Sequence, residues 1–124
     1  MTIPLQRPEF SLVKEDRETP ITNLDESWVT RGYEAQDIKT LCAHFKWDVT
    51  NTPQGTLYLE YSGDSIKDNM PVTVYEIYNT VTLDGVLDSQ MFLDANLPVA
   101  TFRFRYEYIS GSGDFILNKI MTKP

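Results

Sequence analysis

A chain of 124 residues, 41% apolar and 12% aromatic, has the size of one ordinary domain and enough apolar side chain for a core. It has no apolar run of about 18 residues, so no membrane partner is expected, and residues 1–8 lack the basic start and apolar stretch of a signal peptide. The formal charge of −7 argues against nucleic acid as a partner, and the single cysteine, Cys42, excludes an internal disulfide.

Residues 1–26 read as an extended N-terminal arm that crosses the body or reaches a neighbour, the alternative being a disordered terminus. Pro4, Pro8 and Pro20 restrict the backbone, and the charged run Lys14 to Glu18 carries no helical apolar stripe. Ile3, Leu5, Phe10, Leu12 and Val13 are the apolar contacts such an arm would offer a partner. Prolines preset an extended backbone and so lower the ordering cost of docking.

Residues 27–124 read as one β-sandwich domain. Ser27 to Thr30 is a short strand, and Glu34 to Ile38 is the sole helix candidate, one turn at most. From Ile38 to Val49 the alternation is long. Leu41, Ala43, Phe45, Trp47 and Val49 share one face, and Thr40, Cys42, His44, Lys46 and Asp48 the other. Thr56 to Tyr61 returns as a strand with Leu57, Leu59 and Tyr61 inward, which predicts a hairpin across the Thr50 to Gly55 loop.

Val72 to Leu83 is rich in Val, Thr, Tyr and Ile, as strands prefer. Asp84-Gly85 has the composition of a tight hairpin turn, with Leu87 to Leu93 as the next strand. From Pro98 the chain alternates strictly. Phe102, Phe104, Tyr106 and Tyr108 read as core, and Arg103, Arg105 and Glu107 as the outer face. Ser110-Gly111-Ser112-Gly113 then turns into a last strand, which predicts a C-terminal hairpin. About eight strands with turn signals between them make an all-β, antiparallel, jelly-roll-like sandwich.

Several motifs resemble a known family. Asp37-Ile38 opens a strand ending near Trp47. Pro53-Gln54-Gly55-Thr56-Leu57 leads into Leu59-Glu60-Tyr61-Ser62-Gly63-Asp64. Phe102-Arg103-Phe104-Arg105-Tyr106 precedes the Ser110 to Gly113 turn, and Lys123 stands near the end. Over residues 37–123 the chain resembles the small β-sandwich virion proteins of tailed bacteriophages, of the cement or decoration type. Asp114-Phe115 departs from the small residue or Thr usual after that turn. The resemblance implies a non-enzymatic structural protein, made in the host cytoplasm and placed on the capsid surface. Its implied partners are the major capsid protein and, on the particle, its own copies as a dimer or trimer.

The residues offer little chemistry beside this. Cys42 and His44 lie two apart on one strand face, but a structural zinc site takes about four ligands and the chain holds no other Cys or His. Asp64, Asp68 and Asn69 cluster in one loop without calcium-loop spacing. Glu60, Glu76 and Glu107 are strand carboxylates with no acid–base pair marked by spacing, and Glu107 is placed to pair with Arg103 and Arg105. No catalytic residue, metal or cofactor is therefore expected. Tyr58 lies opposite in phase to Leu57 and Leu59, which makes it the best exposed aromatic. With Arg103, Arg105 and Glu107 it forms the predicted partner-binding sheet face. The alternative functions are a carbohydrate-binding or adhesin module, for which exposed aromatics would stack on sugar, and a tail or connector component.

Overall fold

The computed structural model describes residues 9–10, 23–35, 40–63, 74–84, 89–94 and 100–123. Among them the strands are β1 (Glu9–Phe10), β2 (Trp28–Val29), β3 (Tyr33–Glu34), β4 (Thr40–Trp47), β5 (Gln54–Ser62), β6 (Glu76–Asp84), β7 (Ser89–Asp94), β8 (Thr101–Ser110) and β9 (Phe115–Lys123). They form two antiparallel sheets. One runs β1-β9-β4-β7 and the other β2-β8-β5-β6, with β3 also on β8. The short strands β2 and β3 occupy successive parts of one edge position. Between them the Thr30 hydroxyl accepts from the Phe104 amide at 2.9 Å, and the Thr30 amide donates to the Phe104 carbonyl at 2.8 Å.

The sheets pack face to face as the β-sandwich expected from the sequence. Leu41, Ala43, Phe45 and Trp47 of β4 and Ile120 of β9 meet Leu57 and Leu59 of β5, Leu83 of β6, and Phe102, Phe104 and Tyr106 of β8. Phe45 packs edge-on to Phe104 across the interface, ring centroids 5.4 Å apart. Each of these buried rings and branched side chains is worth about 1.5–3 kcal/mol by removal from water, which makes this layer the main source of stability. The Trp47 indole N–H is buried with no hydrogen-bond partner among the described residues. The Tyr106 hydroxyl fares better. It donates to the Gln54 carbonyl at 3.1 Å, and burial, with smaller contributions from Tyr108 and Asp25, pushes its pKa up to about 12.

The connections differ from the hairpins that the sequence predicts. β4 and β5 lie in different sheets, and so do β8 and β9, and β6 and β7. Among the described residues, consecutive strands pair only at β5–β6. Apart from the link between β2 and β3, which both lie on β8, the remaining links cross between sheets, as in a jelly roll. Alternation reports which side of a strand is buried, not which strand lies beside it. Turn-rich links suit a corner as well as a hairpin.

Two of these corners pack on each other. The Ser112 amide donates to the Asn51 carbonyl at 3.2 Å, and the Asp48 amide to the Asp114 carbonyl at 2.9 Å. Gly111 has φ +76°, and a Cβ there would run into the Thr52 carbonyl.

Smaller corrections follow from the same geometry. Tyr108 is exposed rather than core, because β8 runs on past the end of the apolar layer. The helix candidate at Glu34 is extended. Tyr33–Glu34 pairs with Phe102 and Thr101, and the Ala35 amide donates to the Ala100 carbonyl at 2.8 Å. The rest of that candidate, from Gln36, lies outside the described residues. Two parts of the N-terminal 26 residues join the body: Glu9–Phe10 pairs with Met121 and Ile120 of β9, and Leu24 is buried in the core.

Candidate functional site

The outer face of the β2-β8-β5-β6 sheet gathers the polar residues of β5 and β8. The register places Glu60 opposite Arg103, Tyr58 opposite Arg105 and Thr56 opposite Glu107. Alternation puts all of these on the side away from the core.

Glu60 is the centre of the cluster and is only 5% exposed. Its Oε1 accepts from Arg103 Nε at 2.8 Å, and its Oε2 from Arg105 Nε at 3.0 Å. Both carboxylate oxygens are thus held by charge-assisted bonds. The guanidinium of Arg103 stacks over the Tyr75 ring, 3.8 Å from its centroid, and that of Arg105 over Tyr58 at 4.0 Å. The rings supply cation–π attraction and cover one side of each planar cation. Arg105 Nη1 also reaches Glu107 Oε2 at 3.4 Å, and the Tyr58 hydroxyl approaches the same oxygen at 3.4 Å. Burial acts to lower the Arg105 pKa, but the bond and charge of Glu60, then Glu107, outweigh it and leave the pKa raised. The two guanidinium planes are therefore held by contacts within the chain itself.

Two features border the cluster. On one side a groove of about 330 Å³ is lined by Ser27, Trp28, Val29, Arg105, Tyr106 and Glu107. On the other, the first half of β6 is exposed on both faces, with Ile77 at 53% and Tyr78 at 40%. There the Tyr61 hydroxyl donates to Glu76 Oε2 at 2.9 Å, and this bond raises the Tyr61 pKa. The Tyr61 and Tyr78 rings meet edge to face at 87°.

The sheet-face residues singled out in the sequence (Tyr58, Arg103, Arg105 and Glu107) thus stand together. Sequence reading missed Glu60 as their anchor and Tyr75 as the second stacking ring. The phase of Glu60, two residues from Tyr58, was the available signal. Its register against Arg103 was not. Glu107 does pair with an arginine, but more distantly than Glu60.

Cys42, on the face of β4 opposite Leu41, Ala43, Phe45 and Trp47, is buried, and burial pushes its thiol pKa up. No group of three His, Cys, Asp or Glu side chains among the described residues is arranged to hold a metal. Of the arm residues, Phe10 lies in β1, while Ile3, Leu5, Leu12 and Val13 lie outside the described residues. Asp64, Asp68 and Asn69 lie outside them as well. Compared with known proteins, the chain matches no family model and no curated protein.

Proposed function

We propose that this protein is a non-enzymatic structural component of a tailed-bacteriophage virion, a cement or decoration protein on the capsid surface. Each copy would bury surface on neighbouring major capsid subunits. A ligand that binds the assembled shell in preference to its free subunits stabilises the shell by mass action. Dimers or trimers on a capsid axis would add avidity.

The observation that carries this reading is the outer sheet face, where two arginines are clamped by Glu60 and stacked on Tyr58 and Tyr75. Arg and Tyr are the residue types enriched where protein interfaces concentrate their energy. The jelly-roll connectivity supports it by analogy of fold, since capsid and lectin domains share that architecture.

The test is sedimentation of the purified protein with shells that lack it. Binding is expected for the full chain and lost on deletion of residues 1–20, with the truncated chain still folded. Failure of the full chain to bind shells overturns the proposal, and undiminished binding by the truncated chain removes the arm from it. Copy number per particle separates the head from a tail or connector position: occupancy matching the shell lattice means head, and one ring's complement means connector.

The carbohydrate-binding alternative draws on the tyrosines of this region. Tyr58 and Tyr75 each carry a guanidinium over the ring, however, and Tyr61 and Tyr78 stand at 87°, which makes a poor flat platform for sugar. Glycan-array binding abolished by Tyr58→Ala would favour it.

A further inference from the structure

The geometry points to a docking site for an acidic protein segment, in which a partner carboxylate bridges the outer nitrogens of Arg103 and Arg105 and an adjacent apolar side chain enters the groove beside β2. This identifies the chemistry of the partner surface and rests on the reading of this face as the one that docks.

Glu60 takes the Nε of both arginines, and the tyrosine rings cover one side of each guanidinium. The terminal nitrogens of Arg103 make no hydrogen bond or ion pair among the described residues. Arg105 spends one terminal nitrogen on Glu107 at 3.4 Å, well beyond the ~2.8 Å of a good charge-assisted bond. Glu107 itself has a side chain 59% exposed. The face therefore presents two oriented forks, one of them loosely occupied by a carboxylate of the chain itself.

An incoming carboxylate can displace Glu107 and make shorter bonds. Both arginine side chains are already immobilised by Glu60 and the tyrosines, so little of their rotamer entropy remains to be lost on binding. The adjoining groove shares Arg105 and Glu107 as its wall, and Trp28, Val29 and Tyr106 make its apolar lining. Its volume of about 330 Å³ admits one large apolar side chain next to the acidic one. A nucleic-acid backbone suits the forks but not this neighbour, and a chain of net charge −7 repels a long polyanion. Charge and shape together select a protein segment.

The probe is an acetylated Gly-Glu-Leu-Glu-Gly amide titrated into the full chain. Binding is followed by Trp fluorescence and by the Nε–H resonances of Arg103 and Arg105. Saturable binding with movement of both resonances is expected, with loss of binding when glutamine replaces glutamate in the peptide. Arg105→Lys keeps the charge but loses the fork, and should weaken binding about tenfold. Glu107→Gln removes the internal competitor at an exposed position where folding is not at stake, and should tighten binding about threefold or more. Weaker binding in Glu107→Gln, or equal binding of the glutamine peptide, overturns the site. So does tighter binding of inorganic phosphate or of a single-stranded oligonucleotide than of the peptide. Shell sedimentation with the same variants separates the two readings. Shell binding insensitive to Arg105→Lys leaves the capsid role standing and removes this site from it. Peptide binding without shell binding does the reverse.

Discussion

Glu60 accepts from Arg103 Nε at 2.8 Å and from Arg105 Nε at 3.0 Å, so a substitution there leaves two half-buried guanidinium groups without their shared carboxylate. Glu60→Gln should lower unfolding free energy in urea by about 1–3 kcal/mol, the cost of leaving charged partners unsatisfied. Glu107→Gln, at an exposed position, should change it by less than about 0.5 kcal/mol. Equal effects would show that Glu60 is no more of an anchor than Glu107. Gly55 is closely enclosed by β8. A Cβ there would collide with the Tyr106 hydroxyl and lie 2.5 Å from the Glu107 carbonyl. Gly55→Ala should cost about 1–3 kcal/mol as an overpacking change, read as a lower urea midpoint at unchanged slope. Tyr106 supplies a pH dependence. Its folded pKa of about 12 lies above the ordinary tyrosine value of ~10, so the neutral hydroxyl stabilises the fold below pH ~10 and that contribution fades as pH rises through 12. In Tyr106→Phe the fall of stability between pH ~10 and 12 should be shallower by one proton, measured by urea unfolding at successive pH values.

At the scale of elements, the period-two pattern correctly placed Leu41, Ala43, Phe45 and Trp47 of β4 and Phe102, Phe104 and Tyr106 of β8 in the core. That pattern is dictated by burial, which acts on each strand separately and leaves its mark in each strand's own residues. Pairing is different. Whether β8 lies beside β9 or beside β5 is decided by how all the apolar faces close on one another, and no local residue encodes it. The same limit hid Glu60. Its phase was readable, but its burial arises only because β8 brings two arginines across it. Tyr108 shows the limit at a strand end, where alternation continues after the core has stopped. The crossing links make their own demand on sequence. The corner between β8 and β9 relies on Gly111 at φ +76°, and Gly111→Ala should destabilise the protein by at least about 1 kcal/mol, through the backbone conformation and the contact with Thr52 together. A thermal melt unchanged by that substitution would mean that the corner can be rebuilt at little cost.

For the whole molecule, pairing between consecutive strands is confined to β5 and β6 among the described residues. Closing long loops before contacts reward them makes such folds slow, and refolding in milliseconds to seconds is expected by stopped-flow fluorescence rather than in microseconds. The sheet orders, β1-β9-β4-β7 and β2-β8-β5-β6 with β3 on β8, carry a further consequence. Among the described residues, every ladder joins a strand that ends by Ser62 to one that begins at or after Glu76. A nascent chain that has emerged from the ribosome only as far as Ser62 thus holds the described strands β1 to β5 without the strands they are described as pairing with. Formation of either sheet has to wait for the second half of the message. Two polypeptides made separately, 1–68 and 69–124, should each stay unfolded and should assemble into the native sandwich when co-expressed.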